Sequence, residues 1–282
     1  MGKYAGKKVF ITGAAVGLGR ALAVSFAEAG AAVAVADIDI DRAIDTAEHI
    51  TSLGCEAFAL KCDVAEIADI NAAMSSAWER WGVVDFACIN AGVVQLGSLI
   101  DSSDQDLQWM FSVNLFGALN TAKAYVREAR KRQKRGGQIV FTGSESCLSL
   151  PEAARLMGIG GYNMSKHAML SMSDTLRFEL AGDGIGVSLL IPGGVKTEVL
   201  TAGRNRQEKF GGPSAPVVPD MSAVPADLAM AGMISAEEAA QYALDGIGKE
   251  LFYIPTHAYI LSDFRARADE IEAAFKRMTA IS

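Results

Sequence analysis

The chain has 282 residues, half of them hydrophobic, with 26 Lys and Arg against 33 Asp and Glu and a net charge of −7. That length suits a single α/β domain with a sizeable core. The negative balance argues against broad binding to nucleic acid or to an anionic membrane, and no apolar stretch reaches membrane-spanning length.

The first apolar run, 8–12, ends at Gly13. Helical spacing follows over 18–29 and is closed by Gly30. A second apolar run covers 31–36 and ends at Asp37. A helix over 40–53 stops at Gly54, a third strand covers 56–61, and a helix over 67–81 ends at Gly82. The fourth strand is 84–89. One long helix is predicted over 107–134, ending at Gly136 and Gly137; its last part, 127–135, is a basic run, which suits a helix C-terminus. A fifth strand covers 138–142, a helix 162–180 and a sixth strand 186–191.

Most of these strands are continuous apolar runs. That pattern predicts a Rossmann-like, doubly wound parallel sheet of about seven strands with helices on both faces. Ligands of such sheets bind outside the carboxyl ends of the strands. Gly13, Asp37, Asp63, Asn90 and Ser144 all fall there.

Beyond 191 the alternation stops. Residues 203–225 are rich in Gly, Pro and small residues. Ser235 to Glu238 has the spacing of a capping box opening another helix. A last strand is expected at 251–254 and an amphipathic helix at 264–278. The simplest organisation is one domain with 198–236 as a lid over the substrate. Its Leu200, Phe210, Val217, Val218, Met221, Leu228, Met230 and Met233 would make an adaptable apolar wall. That wall suits a fairly bulky hydrophobic or aromatic substrate.

The first residues lead straight into a strand, with no signal peptide, so a cytoplasmic protein is expected. Cys55, Cys62, Cys88 and Cys147 lack metal-type pairing and read as reduced, mostly buried thiols. His49, His167 and His257 are scattered, so no metal site is expected.

Tyr162 and Lys166 are four residues apart. On a helix they project from one face, where an ammonium would favour the phenolate and lower its pKa. Such a phenol exchanges protons with an alcohol or ketone near neutral pH. The same spacing also suits an ordinary solvated helix face, so the rest of the chain decides. Thr12 to Gly19 joins the first strand to the first helix with the spacing Gly-x3-Gly-x-Gly. Glycines there let backbone approach a pyrophosphate at a helix N-terminus. Asp37 can accept hydrogen bonds from an adenosine ribose, or can serve as a turn residue.

Taken together, these motifs resemble the short-chain dehydrogenase/reductase family. The likeness runs from about Lys7 to Thr197 and rests on six motifs in order: Thr12 to Gly19, Asp63-Val64, Asn90-Ala91-Gly92, Asn114, Tyr162-x3-Lys166 and Pro192 to Thr197. The chain departs from the family at Ile89, where relatives carry a further Asn. That departure puts some hydrogen bonding within the sheet in doubt.

The resemblance implies an oxidoreductase that interconverts a secondary alcohol and a ketone, with Tyr162 as general acid/base. Lys166 would depress the Tyr162 pKa and bind the nicotinamide ribose. Ser144 would hold the substrate oxygen, and Asn114 a water that relays protons. Ser146 is a rival for Ser144, because 152–160 reads as an insertion. Cofactor contacts are implied at Gly13, Gly17, Leu18, Gly19, Asp37, Ile38, Asp63, Val64, Asn90, Ala91, Gly92, Tyr162, Lys166, Pro192, Gly193, Val195 and Thr197.

NAD is favoured over NADP, because Asp37 would repel a 2′-phosphate. Val16 stands where NADP users often carry a basic residue, and Arg20 and Arg42 are the nearest cations in sequence. A homo-oligomer, tetramer or dimer, is implied by pairing of the helices at 107–134 and 162–180. Trp109, Met110, Phe111 and Phe116 fit that interface or the core. The same residues admit two other readings. One is an inactive dinucleotide-sensing module, which would have no need of Ser144, Tyr162, Lys166 and Asn114 together. The other is a lyase or epimerase, which would want a further acid or base such as Glu145 or Glu152.

Overall fold

The seven strands are β1 (Lys8–Thr12), β2 (Ala32–Asp37), β3 (Ala57–Lys61), β4 (Phe86–Ile89), β5 (Gln138–Thr142), β6 (Gly186–Ile191) and β7 (Tyr253–Pro255). They form one sheet in the order β3-β2-β1-β4-β5-β6-β7, and every neighbouring pair is parallel. The order reverses between β1 and β4, which opens a crevice at the carboxyl ends. The computed structural model describes residues 2–218 and 232–279, with Ala153 by backbone alone.

Helices α1 (Gly17–Glu28) and α2 (Ile40–Ser52) cover one face together with α8 (Ala236–Ile247). Helices α3 (Ile67–Trp81), α5 (Ala118–Lys131) and α7 (Gly160–Glu179) cover the other. β2 is buried at all six positions, so both its faces are packed. Trp78, Phe10 and Phe141 are fully buried, and each such side chain contributes about 1.5–3 kcal/mol. Ser235 and Glu238 form the expected capping box of α8.

The long helix expected over 107–134 is three pieces. Ser103 caps α4 (Asp104–Phe111) by accepting from Asp106 N at 3.1 Å. A π-helical turn, Ser112–Gly117, follows and leads into α5. The turn passes so close to the β3–α3 loop that a Cβ on Gly117 would lie 2.8 Å from the Val64 carbonyl. Trp109 and Met110 are core residues, not interface residues; Phe116 is 54% exposed.

The region read as an insertion holds a short helix, α6 (Glu152–Leu156), and a turn bridged to the β4–α4 loop by Gly97 N donating to Gly158 O at 2.7 Å. The last helix, α9 (Ile260–Thr279), begins earlier than its apolar pattern suggests. Of the apolar residues assigned to a lid, Met221, Leu228 and Met230 lie outside the described residues. The first part of that segment, through Phe210, packs onto the body of the domain. Phe210 is buried in the core, and Arg206 pairs with Asp106 at 2.5 Å.

Candidate active site

One cleft runs along the carboxyl ends of the strands, with a volume of about 280 Å3. It is lined by every residue expected at the cofactor and catalytic sites except Asn114, which sits behind it.

At the β1–α1 turn the glycines are required. Gly13 and Gly17 have φ of +63° and +54°, conformations that L side chains rarely adopt. A Cβ on Gly19 would stand 1.9 Å from the Gly13 carbonyl. Val16 offers no side-chain cap to α1, and the first turn of α1 carries no acidic residue. The free N–H groups of that turn therefore suit an anion such as a pyrophosphate.

Asp37 ends β2 beside this turn. Its carboxylate accepts from Ala15 N and Asp39 N, both at 3.0 Å. Burial raises its pKa; the two N–H donors and Arg204 act against that rise. Arg204 escaped sequence reasoning, because it comes from the far side of the chain. It lines the cleft, lies 3.8 Å from Glu198, and donates to Thr201. Glu198 also takes both guanidinium nitrogens of Arg42, at 2.9 and 3.3 Å. Asp63 is held in the same way by a residue that the sequence did not mark. Gln207 donates to its carboxylate at 2.6 Å, and Ala65 N donates to the other oxygen at 2.8 Å.

Asn90 answers the doubt raised by Ile89. Its amide donates to the carbonyls of Thr12 and Gly13 at 3.2 and 3.1 Å, and its oxygen accepts from Thr142 at 3.2 Å. One side chain thus ties the ends of β1, β4 and β5 together. Ile89 is buried in the core.

Ser144, Tyr162 and Lys166 meet at the other end of the cleft. Ser144, at the end of β5, hydrogen-bonds the Tyr162 hydroxyl. Ser146 is turned away, donating to Asn163 at 2.8 Å, so Ser144 is the serine that faces the cleft. Lys166 is buried and donates to the Thr142 carbonyl at 2.8 Å, with its ammonium 5.5 Å from the centre of the Tyr162 ring. Burial lowers the Lys166 pKa to about 8. Burial also pushes the Tyr162 phenol above its usual value; the Ser144 hydrogen bond opposes this, and Cys147 and Glu145 add to it. Any lowering of the phenol pKa by Lys166 therefore works against the burial of the ring.

Asn114 sits in the π-helical turn. Its amide donates to Val93 O at 2.9 Å and to Ser165 at 3.0 Å, while its oxygen accepts from Val93 N at 2.8 Å. Both amide hydrogens are spent, so a relay water at Asn114 would have to donate to one of its oxygens.

Tyr162 also borders an apolar cluster of Val94, Ala154 and Ile159 with Leu96, Met157 and Leu200. Met157 and Ile159 come from the insertion, which sequence reasoning treated only as a spacer. Glu152 is exposed, and Glu145 is hydrogen-bonded to Tyr259 outside the cleft lining, so neither supplies the extra acid or base of a lyase.

Residues 7–208 match the family model described as short chain dehydrogenase. The chain is 33% identical over 197 residues to the oxidoreductase UcpA of Salmonella typhimurium, an alignment covering 70% of this chain and 72% of that one. A short-chain dehydrogenase/reductase from Burkholderia phymatum, solved with NAD, superposes with a TM-score of 0.85 at 32% identity over 97% of both chains. A short-chain dehydrogenase from Burkholderia cenocepacia, solved with NADP, superposes with a TM-score of 0.73 at 26% identity, over 91% of this chain and 99% of its own. The fold and cleft define a dinucleotide-dependent oxidoreductase. The chain belongs to the short-chain dehydrogenase/reductase family and is an NAD(P)-dependent enzyme of it. Among the described residues, no helix is long and apolar enough to cross a membrane.

Proposed function

We propose that the enzyme interconverts a secondary alcohol and a ketone with NAD(H), using Tyr162 as general acid/base. The observation that carries this reading is the meeting of Ser144, Tyr162 and Lys166 in the same cleft as Gly13, Gly17 and Asp37. A bound nicotinamide supplies the hydride acceptor or donor. In oxidation the Tyr162 phenolate takes the alcohol proton as the carbon gives up hydride and the C=O bond forms. In reduction the Tyr162 hydroxyl returns a proton to the carbonyl oxygen.

Ser144 donates to the substrate oxygen and stabilises the charge that develops there. Lys166 holds the nicotinamide ribose and favours the phenolate electrostatically, and Asn114 holds a water that relays protons between Lys166 and solvent. Because burial raises the phenol pKa, oxidation should speed up and reduction slow down as pH rises.

NAD(H) is preferred to NADP(H) because Asp37 meets the adenosine ribose, while Glu198 neutralises Arg42 and Arg204 nearby. The substrate is bulky and hydrophobic or aromatic, since Leu96, Met157 and Leu200 pack on the same apolar cluster that Tyr162 borders. Residues 198–236 serve as its lid. The enzyme assembles as a homo-oligomer, tetramer or dimer, through α5 with the π-helical turn before it and α7; the exposure of Phe116 in that turn and Phe178 on α7, at 54% and 76%, supports this reading.

The test is a screen of alcohols and ketones with each cofactor, following absorbance of the reduced nicotinamide. Turnover of aryl or alicyclic substrates with NAD(H) is expected. Turnover of small polar substrates alone would contradict the substrate reading.

A further inference from the structure

Helix α9 carries Leu261, Phe264, Ala268, Ile271, Phe275 and Met278, spaced alternately three and four residues apart. That is an apolar repeat of 3.5 residues, the spacing of a seam that receives another helix. The helix's own chain leaves the seam open. Ile260 is buried, but every described side chain from 264 to 279 is exposed, Phe275 at 69% and Met278 at 70%. Arg267 anchors the helix to α7, meeting His167 Nε2 at 2.6 Å. Phe264, Ala268, Ile271 and Phe275 form one wall of an open groove of about 570 Å3, with Leu148 and Leu170 on the other.

We propose that this groove receives α9 of a second copy of the chain, antiparallel, about a twofold axis between Ala268 and Ile271. The seam is complementary to itself in that arrangement. Leu261 faces Met278 of the partner subunit, Phe264 faces Phe275 of the partner subunit, and Ala268 faces Ile271 of the partner subunit, each contact occurring twice. The small Ala268 leaves room for the larger isoleucine. A parallel pair would stack alanine on alanine and leave a gap at mid-seam.

The flank is complementary too. Arg265 and Glu272 lie on the same side of the seam, and the antiparallel register sets Arg265 against Glu272 of the partner subunit. Arg265 has no ion-pair partner among the described residues, whereas Glu272 pairs with Lys276 one turn on. This self-complementarity points to a second copy rather than to a different protein. The contact also reaches the active site. α9 directly follows Tyr259, whose hydroxyl accepts from Gly194 N at 3.1 Å in the Pro-Gly segment.

The test is sedimentation velocity of the full chain at micromolar concentration, with circular dichroism to confirm folding. Four proteins are compared: the parent, Ile271→Glu, Arg265→Glu and the double variant Arg265→Glu/Glu272→Arg. These positions are exposed, so the fold should hold. Ile271→Glu should halve the assembly mass, whatever contacts α5 and α7 make. Arg265→Glu should weaken association about tenfold by creating two like-charge contacts, and the double variant should recover most of that loss.

A parent of single-chain mass would overturn the proposal and leave the seam to another partner. An unchanged mass in Ile271→Glu would overturn it as well. So would an Arg265→Glu chain that associates like the parent, or a double variant that recovers nothing.

Discussion

Glu145 is a carboxylate caught between two demands. It follows Ser144, it hydrogen-bonds Tyr259, and one of its oxygens is buried without a partner. Burial raises its pKa from 4.5 to about 7, against the Tyr259 hydrogen bond. The folded protein thus keeps a proton that the unfolded chain would release. Stability should fall as pH rises from about 4.5 to about 7 and stay at the lower level above that. Glu145→Gln removes this titration, so its advantage over the parent should be largest above pH 7, on the order of 1–3 kcal/mol. Thermal melts of both proteins across that window give the answer, and parallel curves would show that Glu145 is not strained.

In the proposed function Asp37 bears on cofactor choice. Asp37→Ala should shift the ratio of kcat/KM toward NADP(H) by about tenfold, or about 1.4 kcal/mol. Arg204→Ala should push the ratio the other way, by removing a cation from the same cleft. An Asp37→Ala enzyme with unchanged preference would place cofactor selection elsewhere. Asp37 was legible from its place at a strand end. Arg204 and Gln207 were not, because a cation or an amide in a Gly- and Pro-rich segment gives no sign of what it will touch. Gln207 reaches Asp63 across 144 residues of sequence.

Among the elements, the strands were the most legible. Parallel strands buried on both faces write continuous apolar runs, and β1, β5 and β6 coincide with theirs. The break at Ser112–Gly117 left no such trace, because a π turn keeps the chain helical and has no stop residue of its own. The short α6 was hidden in the same way, since five residues are too few to show a period. Its contribution to the wall beside Tyr162 became visible only in three dimensions.

The connection between β7 and α9 makes a further prediction. Thr256 accepts from Gly193 N at 3.1 Å, and Tyr259 accepts from Gly194 N. This connection fixes the Pro-Gly segment expected beside the nicotinamide. Tyr259→Phe should raise the KM for cofactor several-fold, roughly what one lost hydrogen bond gives, and change kcat less. A fall in kcat alone would mean that Tyr259 acts in the chemistry and not in positioning.

On the scale of the whole molecule, the sheet gathers residues from both halves of the chain at one edge. The crossing between β1 and β4 opens the cleft, Asn90 fastens three strand ends beneath it, and α7 brings Tyr162 and Lys166 up to Ser144. On the proposed reading the dinucleotide and the substrate lie end to end in this cleft. In the proposed mechanism this arrangement moves a proton through Tyr162.

The most direct measurement pairs turnover with cofactor affinity in Tyr162→Phe, which keeps the ring and removes the hydroxyl. The expected result is a loss of kcat of about 10²–10⁴-fold with NAD(H) affinity within about threefold of the parent. Turnover like the parent's, on a substrate the parent accepts, would contradict the account.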